Sequence, residues 1–172
     1  MARDAVVPMF NVKNPAAARI LERGVTALNF AAIWLRGEVK DWETSIGASP
    51  ASRPTALHVY TRSDACGAAE TWAAFLGGHQ EDLQGIGVYG DPGLAEAVRR
   101  DPYGVGYNNV NYAYDPKTGL PVQGLAVCPL DRNGNGRIDP EESFYSTRKE
   151  LVAAIARGAY PAPPARDLYF VV

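Results

Sequence analysis

The chain has 172 residues, 47% of them apolar and 21% charged, with a formal net charge of −2. Those values describe one ordinary soluble domain. They exclude a nucleic-acid surface, which needs a basic stripe to displace counterions, because Lys and Arg are scattered and mostly stand beside Asp or Glu.

No apolar run approaches bilayer-crossing length. Residues 5–10 are too short and too soon interrupted for a signal-peptide core, so none is expected. Residues 6–11 read as a buried strand. Asn14-Pro15 opens a helix over 16–22, with Pro15 at its first position and Gly24 as its stop. Thr26 caps a second helix carrying Leu28, Phe30, Ile33, Trp34 and Leu35, which Gly37 closes. Residues 45–55 form a loop. Residues 56–61 are bulky and β-branched and predict a strand, followed by a helix over 65–76 that ends at Gly77-Gly78. Residues 85–90 read as a short glycine-rich strand or loop, and Asp91-Pro92 caps the next helix. Short strands are predicted at 104–107 and 124–128, a last helix at 141–156, an extended connector at 161–164 and a terminal strand at 168–172. Alternating strands and helices predict one α/β domain over 1–172, with a mostly parallel sheet flanked by helices.

Arg62-Ser63-Asp64-Ala65-Cys66-Gly67-Ala68 lies between a predicted strand and a predicted helix. The first N–H groups of a helix lack internal partners and carry partial positive charge, so an anion is stabilised there. Gly67 lets a ligand approach the backbone, and Arg62 offers a permanently charged fork for phosphate or carboxylate oxygens. Asp64 is placed either to cap the helix or to clamp Arg62. An ordinary capped helix with a surface ion pair explains the same residues equally well.

The same stretch resembles the Arg-x-Asp-x-Ser-Gly-Thr element of phosphate-binding proteins of ABC transporters, a periplasmic solute-receptor family. Other segments match in the same order. Residues 6–14 resemble the strand that crosses between the lobes, and Gly37 to Trp42 a glycine-to-tryptophan step. Residues 90–114 resemble the segment that closes the second lobe, and Tyr169-Phe170-Val171-Val172 the strand that returns to the first. The resemblance implies a single lobe of a periplasmic-binding-protein-like fold, with crossing strands near 5–11 and 168–172. It also implies phosphate or a similar tetrahedral oxyanion as ligand, delivery to ABC-transporter membrane subunits, and a periplasmic or extracytoplasmic location. Carried over residue by residue, the ligand contacts are Arg62, Cys66, Gly67 and Ala68, with Asp64 orienting Arg62. Cys66 and Ala68 replace two hydroxyl donors, which weakens the site. An exposed face between lobes also makes a homodimer an expectation.

Residues 131–142 fit a calcium loop: Asp131, Asn133, Asn135, Asp139 and Glu142 supply oxygens, and Arg137 its carbonyl. Hard oxygen ligands in this number suit a structural Ca²⁺. A strand precedes the loop and no second loop accompanies it, unlike a paired EF-hand; an Asx-rich turn without metal is the bland alternative. A calcium-stabilised interaction or sensing domain that has lost anion binding is therefore the second functional reading.

His58 and His79 lack neighbours at metal-ligand spacing and read as structural. Cys66 and Cys128 either pair or stay free. No acid–base pair or nucleophile–base dyad is apparent, so no enzyme activity is expected. Trp34, Trp42 and Trp72 are assigned to the core. Tyr107, Asn108, Asn109, Asn111, Tyr112 and Tyr114 form a polar-aromatic cluster attributed mainly to packing.

Overall fold

A computed structural model describes residues 2–168. The elements in chain order are β1 (Ala2–Asn11), α1 (Ala17–Arg23), α2 (Ala27–Trp34), α3 (Trp42–Ser45), β2 (His58–Arg62), α4 (Gly67–Leu76), β3 (Ile86–Val88), α5 (Asp91–Arg100), β4 (Gly104–Asn109), α6 (Val110–Ala113), β5 (Leu125–Val127), α7 (Arg148–Ala156) and β6 (Ala165–Leu168). Short 3₁₀ turns at Gln80–Asp82 and Pro140–Glu142 interrupt the loops.

The strands form one sheet in the order β3-β2-β4-β1-β5, with β6 also paired to β1. β2 runs parallel to β3 and β4, whereas β1 runs antiparallel to β4, β5 and β6. Five strands therefore share one direction and β1 opposes them, so the sheet is mostly parallel, as the alternation of elements predicts. β1 sits inside the sheet, and Ala5, Val6, Val7, Met9 and Phe10 are fully buried. That is why its sequence is a continuous apolar run rather than an alternation.

Neighbouring residues of β4 show how helices cover both faces. Gly106 lets α5 approach closely: a Cβ there would lie 2.8 Å from Val98. The next residue points the other way, and the Tyr107 ring meets Trp34 and Trp72 of α2 and α4. Trp34, Trp42 and Trp72 are fully buried. Trp34 donates its indole N–H to the Tyr60 carbonyl at 3.0 Å, and Trp42 to the Tyr103 carbonyl at 3.1 Å. Buried indoles usually find such partners; among the described residues the Trp72 N–H has none.

Several boundaries differ from expectation, each for a local reason. Pro15 precedes α1 instead of opening it, because the Asn14 side chain accepts the Ala16 N–H in a tight turn. α2 stops at Trp34, short of Gly37. The expected helix over 141–156 is split. Thr147 caps α7 by accepting the Glu150 N–H. Phe144 and Tyr145 ahead of it turn into the core, where the Tyr145 carbonyl accepts the Tyr114 hydroxyl at 2.7 Å. Residues 161–164 form a turn rather than an extended connector: the Ala165 N–H returns to the Pro161 carbonyl. β6 begins earlier than the predicted terminal strand, and Tyr169 to Val172 lie outside the described residues. Cys66 and Cys128 are both free.

Candidate oxyanion site

β2, β3 and β4 are parallel, so their carboxyl ends gather at one edge of the sheet. Ligand crevices open there in folds of this kind. Arg62 closes β2, Asp91 lies just beyond β3, and Asn109 closes β4. α4 starts beside them. Cys66 is its N-cap: the sulfur accepts the Ala69 N–H at 3.4 Å, a weak version of the bond a hydroxyl would make.

The Arg62 side chain is only 6% exposed. Asp64 clamps it through both Nε and Nη2, which settles the alternatives for Asp64: it orients Arg62 and does not cap the helix. Asp64 also accepts the Gly90 N–H at 3.1 Å. These bonds, the Arg62 fork first and the Gly90 N–H second, hold its carboxyl well below the usual range. The Asp64 bond in turn raises Arg62 above its ordinary value. Behind them, the Tyr107 hydroxyl accepts the Arg62 backbone N–H at 3.1 Å and shares a 2.8 Å bond with the Thr61 hydroxyl. Arg62 is thus fixed at backbone and side chain.

The expected residues are brought together, with two changes. The Cys66 N–H is taken by the Gln80 side-chain carbonyl at 3.1 Å, while the Gln80 amide donates to the Asp64 carbonyl at 2.7 Å. Among the described residues, no acceptor takes the N–H groups of Gly67 and Ala68, the first of α4. Gln80, Asp91, Asn109 and Arg166 also belong to the site, and local sequence does not reveal them. Arg62 Nη1 pairs with Asp91, and the Asn109 amide donates to the second Asp91 oxygen at 3.2 Å. Arg166, on β6, donates to Asn109 at 2.9 Å, to Thr71 at 3.0 Å and to Asp4 at 3.3 Å. Among the described residues its Nε is buried without a partner. Arg166 falls between the predicted connector at 161–164 and the predicted strand at 168–172, so its place on β6 comes from the structure.

The 131–142 loop folds around its own backbone. Asp131 accepts the Gly134 and Gly136 N–H groups at 2.8 and 2.9 Å. Glu142 accepts those of Arg132 and Asp139 at 2.8 and 3.0 Å. The Asn133 and Asn135 amides donate to Asp139, and the Arg137 guanidinium pairs with it. A 3₁₀ turn over Pro140–Glu142, not the start of the expected long helix, closes the loop. Among the described residues no three His, Cys, Asp or Glu side chains converge as a metal group.

His58 and His79 each meet a carboxylate, Asp101 at 2.7 Å and Glu70 at 3.2 Å. His58 opens β2, at the end of the sheet opposite Arg62.

A family profile described as a PBP superfamily domain matches residues 1–171. No curated protein matches the sequence. Among solved structures, a possible phosphate binding protein from Planctomyces limnophilus superposes with a TM-score of 0.64 at 16% identity, over 96% of this chain and 51% of the other. A protein assigned as a phosphate ABC transporter substrate-binding protein from Clostridium perfringens, solved with bound phosphate, gives 0.63 at 14% identity, over 96% and 54%. An ABC-type phosphate transport receptor from Vibrio cholerae gives 0.56 at 15% identity, over 75% and 47%. The chain therefore spans about half the length of these structures, as a single lobe does. With the profile match covering almost every residue, the chain belongs to the PBP superfamily.

Proposed function

We propose that the chain binds phosphate or a similar tetrahedral oxyanion at the start of α4, as one lobe of an ABC-transporter solute receptor working outside the cytoplasm. Binding, not catalysis, is its role. One observation carries the reading: a nearly buried guanidinium, oriented by Asp64, ends the strand that leads into α4, whose first N–H groups are those of Gly67 and Ala68. Such groups supply charge and direction to an oxyanion. The structures named above support phosphate as the ligand and transporter membrane subunits as the partner. A second copy of the chain could serve as the facing lobe.

Phosphate titration by calorimetry tests this on the wild type and on Arg62→Lys, which keeps the charge but loses the fork. We expect a Kd weaker than about 1 μM for the wild type, since one lobe holds half the donors, and further weakening in the variant. Binding that ignores the substitution overturns the assignment.

A second reading, a calcium-stabilised interaction or sensing domain that has lost anion binding, draws on two facts. Arg62 is already held by two carboxylates. Asp131 and Glu142 are 4% and 5% exposed, and their hydrogen bonds come from backbone N–H groups alone. Buried carboxylates of this kind suit a hard cation held by Asp131, Asn133, Asn135, Asp139, Glu142 and the Arg137 carbonyl.

A further inference from the structure

We propose that Asp91 is a tethered competitor for the oxyanion, holding the end of the Arg62 guanidinium that the ligand would take and so setting the affinity of the site. This rests on the oxyanion-binding reading above.

Asp64 occupies the Nε–Nη2 edge of Arg62, as an orienting residue should. The end of the fork left for a ligand centres on Nη1, and Asp91 already pairs with it. Asp91 is not there by loose approach. It opens α5, whose N-terminal dipole favours a carboxylate. The Asn109 amide holds its second oxygen at 3.2 Å, and the Asn108 amide holds its backbone carbonyl at 2.7 Å. Its side chain is 24% exposed, so it lies at the mouth of the site with Arg62 behind it.

The charge count points the same way. Around the start of α4, the guanidiniums of Arg62 and Arg166 face three carboxylates: Asp64 and Asp91 on Arg62, and Asp4 on Arg166. An incoming anion therefore meets an excess of negative charge unless Asp91 yields. A carboxylate fixed in place competes at an effective concentration of at least the order of millimolar. An external oxyanion must displace it with only the Gly67 and Ala68 N–H groups and the remaining guanidinium donors to compensate. The contact thus makes the site weak or selective by construction of the fold, independently of the hydroxyls replaced at Cys66 and Ala68.

Titration of inorganic phosphate into wild type, Asp91→Asn and Asp91→Ser tests the proposal. Asparagine keeps the shape and an oxygen for Arg62 but removes the charge. Serine removes the charge with a smaller polar side chain and serves if asparagine perturbs folding. We expect about tenfold tighter phosphate binding in either folded variant, the scale on which removing a facing like charge acts. A gain of affinity is also an outcome that misfolding does not produce. Unchanged or weaker binding in the variants, with Arg62-dependent binding retained in the wild type, overturns the role of Asp91 alone. Absence of phosphate binding in wild type and variants at millimolar ligand overturns the oxyanion reading and this inference together.

Discussion

Nη1 of Arg166 lies 2.9 Å from the position a Cβ would take on Gly67. A cation from the last described strand is thereby packed against the first turn of α4, where the helix dipole is also positive. Thr71, Asp4 and Asn109 hold the Arg166 guanidinium in that position.

Gly67→Ala separates packing from binding. The methyl displaces the far end of a flexible side chain, and alanine is the better helix former by up to about 1 kcal/mol. We expect the melting temperature to change little, while phosphate affinity falls because Arg166 and the approach to the Gly67 N–H are disturbed. Differential scanning fluorimetry and calorimetry on the same samples report the two effects separately.

Cys66→Ser replaces a weak sulfur cap with a hydroxyl. Serine is among the best N-caps, so α4 and the protein should gain about 0.5–1 kcal/mol in urea unfolding. The same hydroxyl adds a ligand donor, and phosphate affinity should rise. A loss of stability would show that the sulfur packs better than it caps.

Tyr107→Phe removes the hydroxyl that accepts the Arg62 N–H and meets Thr61. A buried donor left without a partner costs about 1–3 kcal/mol. We expect a drop of that size in the unfolding free energy measured by urea titration, because the ring and its stack on Trp72 are kept while the hydroxyl is lost.

The Arg62–Asp64 clamp should resist acid. The folded Asp64 carboxyl lies below its unfolded value near 3.9. Its stabilisation is therefore complete above that value and is lost only as pH falls through the lower folded value. A carboxyl-carbon NMR titration should place the Asp64 midpoint well below 3.9. His79 has the opposite sign: its pairing with Glu70 raises it above 6.5, so its small contribution is present below pH 6.5 and fades as pH rises past the folded value.

Calcium should raise the melting temperature if the 131–142 loop holds it, by up to about 2.7 kcal/mol of added stability at a hundredfold excess over Kd. Asp131→Ala should abolish that response. An EDTA-treated sample that melts with the calcium-loaded one sinks the calcium reading.

Local chemistry made much of the fold legible. The apolar run of β1, the Thr26 cap and the Gly77 stop are short-range signals, and each appears where the residues place it; the strand predicted over 56–61 appears as His58–Arg62. The Arg62-Ser63-Asp64 turn before a helix was equally readable. Boundaries failed where a distant partner decided them. The helix over 141–156 broke because Phe144 and Tyr145 found a core to enter, and helix periodicity carries no information about that core.

The sequence by itself determined an α/β chain with an arginine and a glycine at a helix start, because propensity, capping and period depend on neighbours along the chain. Only the tertiary structure decided what surrounds them. β3 and β4 end where β6 begins, and that brings Asp91, Asn109 and Arg166, far apart in the sequence, to one guanidinium and one helix start. Whether Arg62 faces a ligand or a carboxylate of its own chain is set by that convergence, which no local pattern encodes.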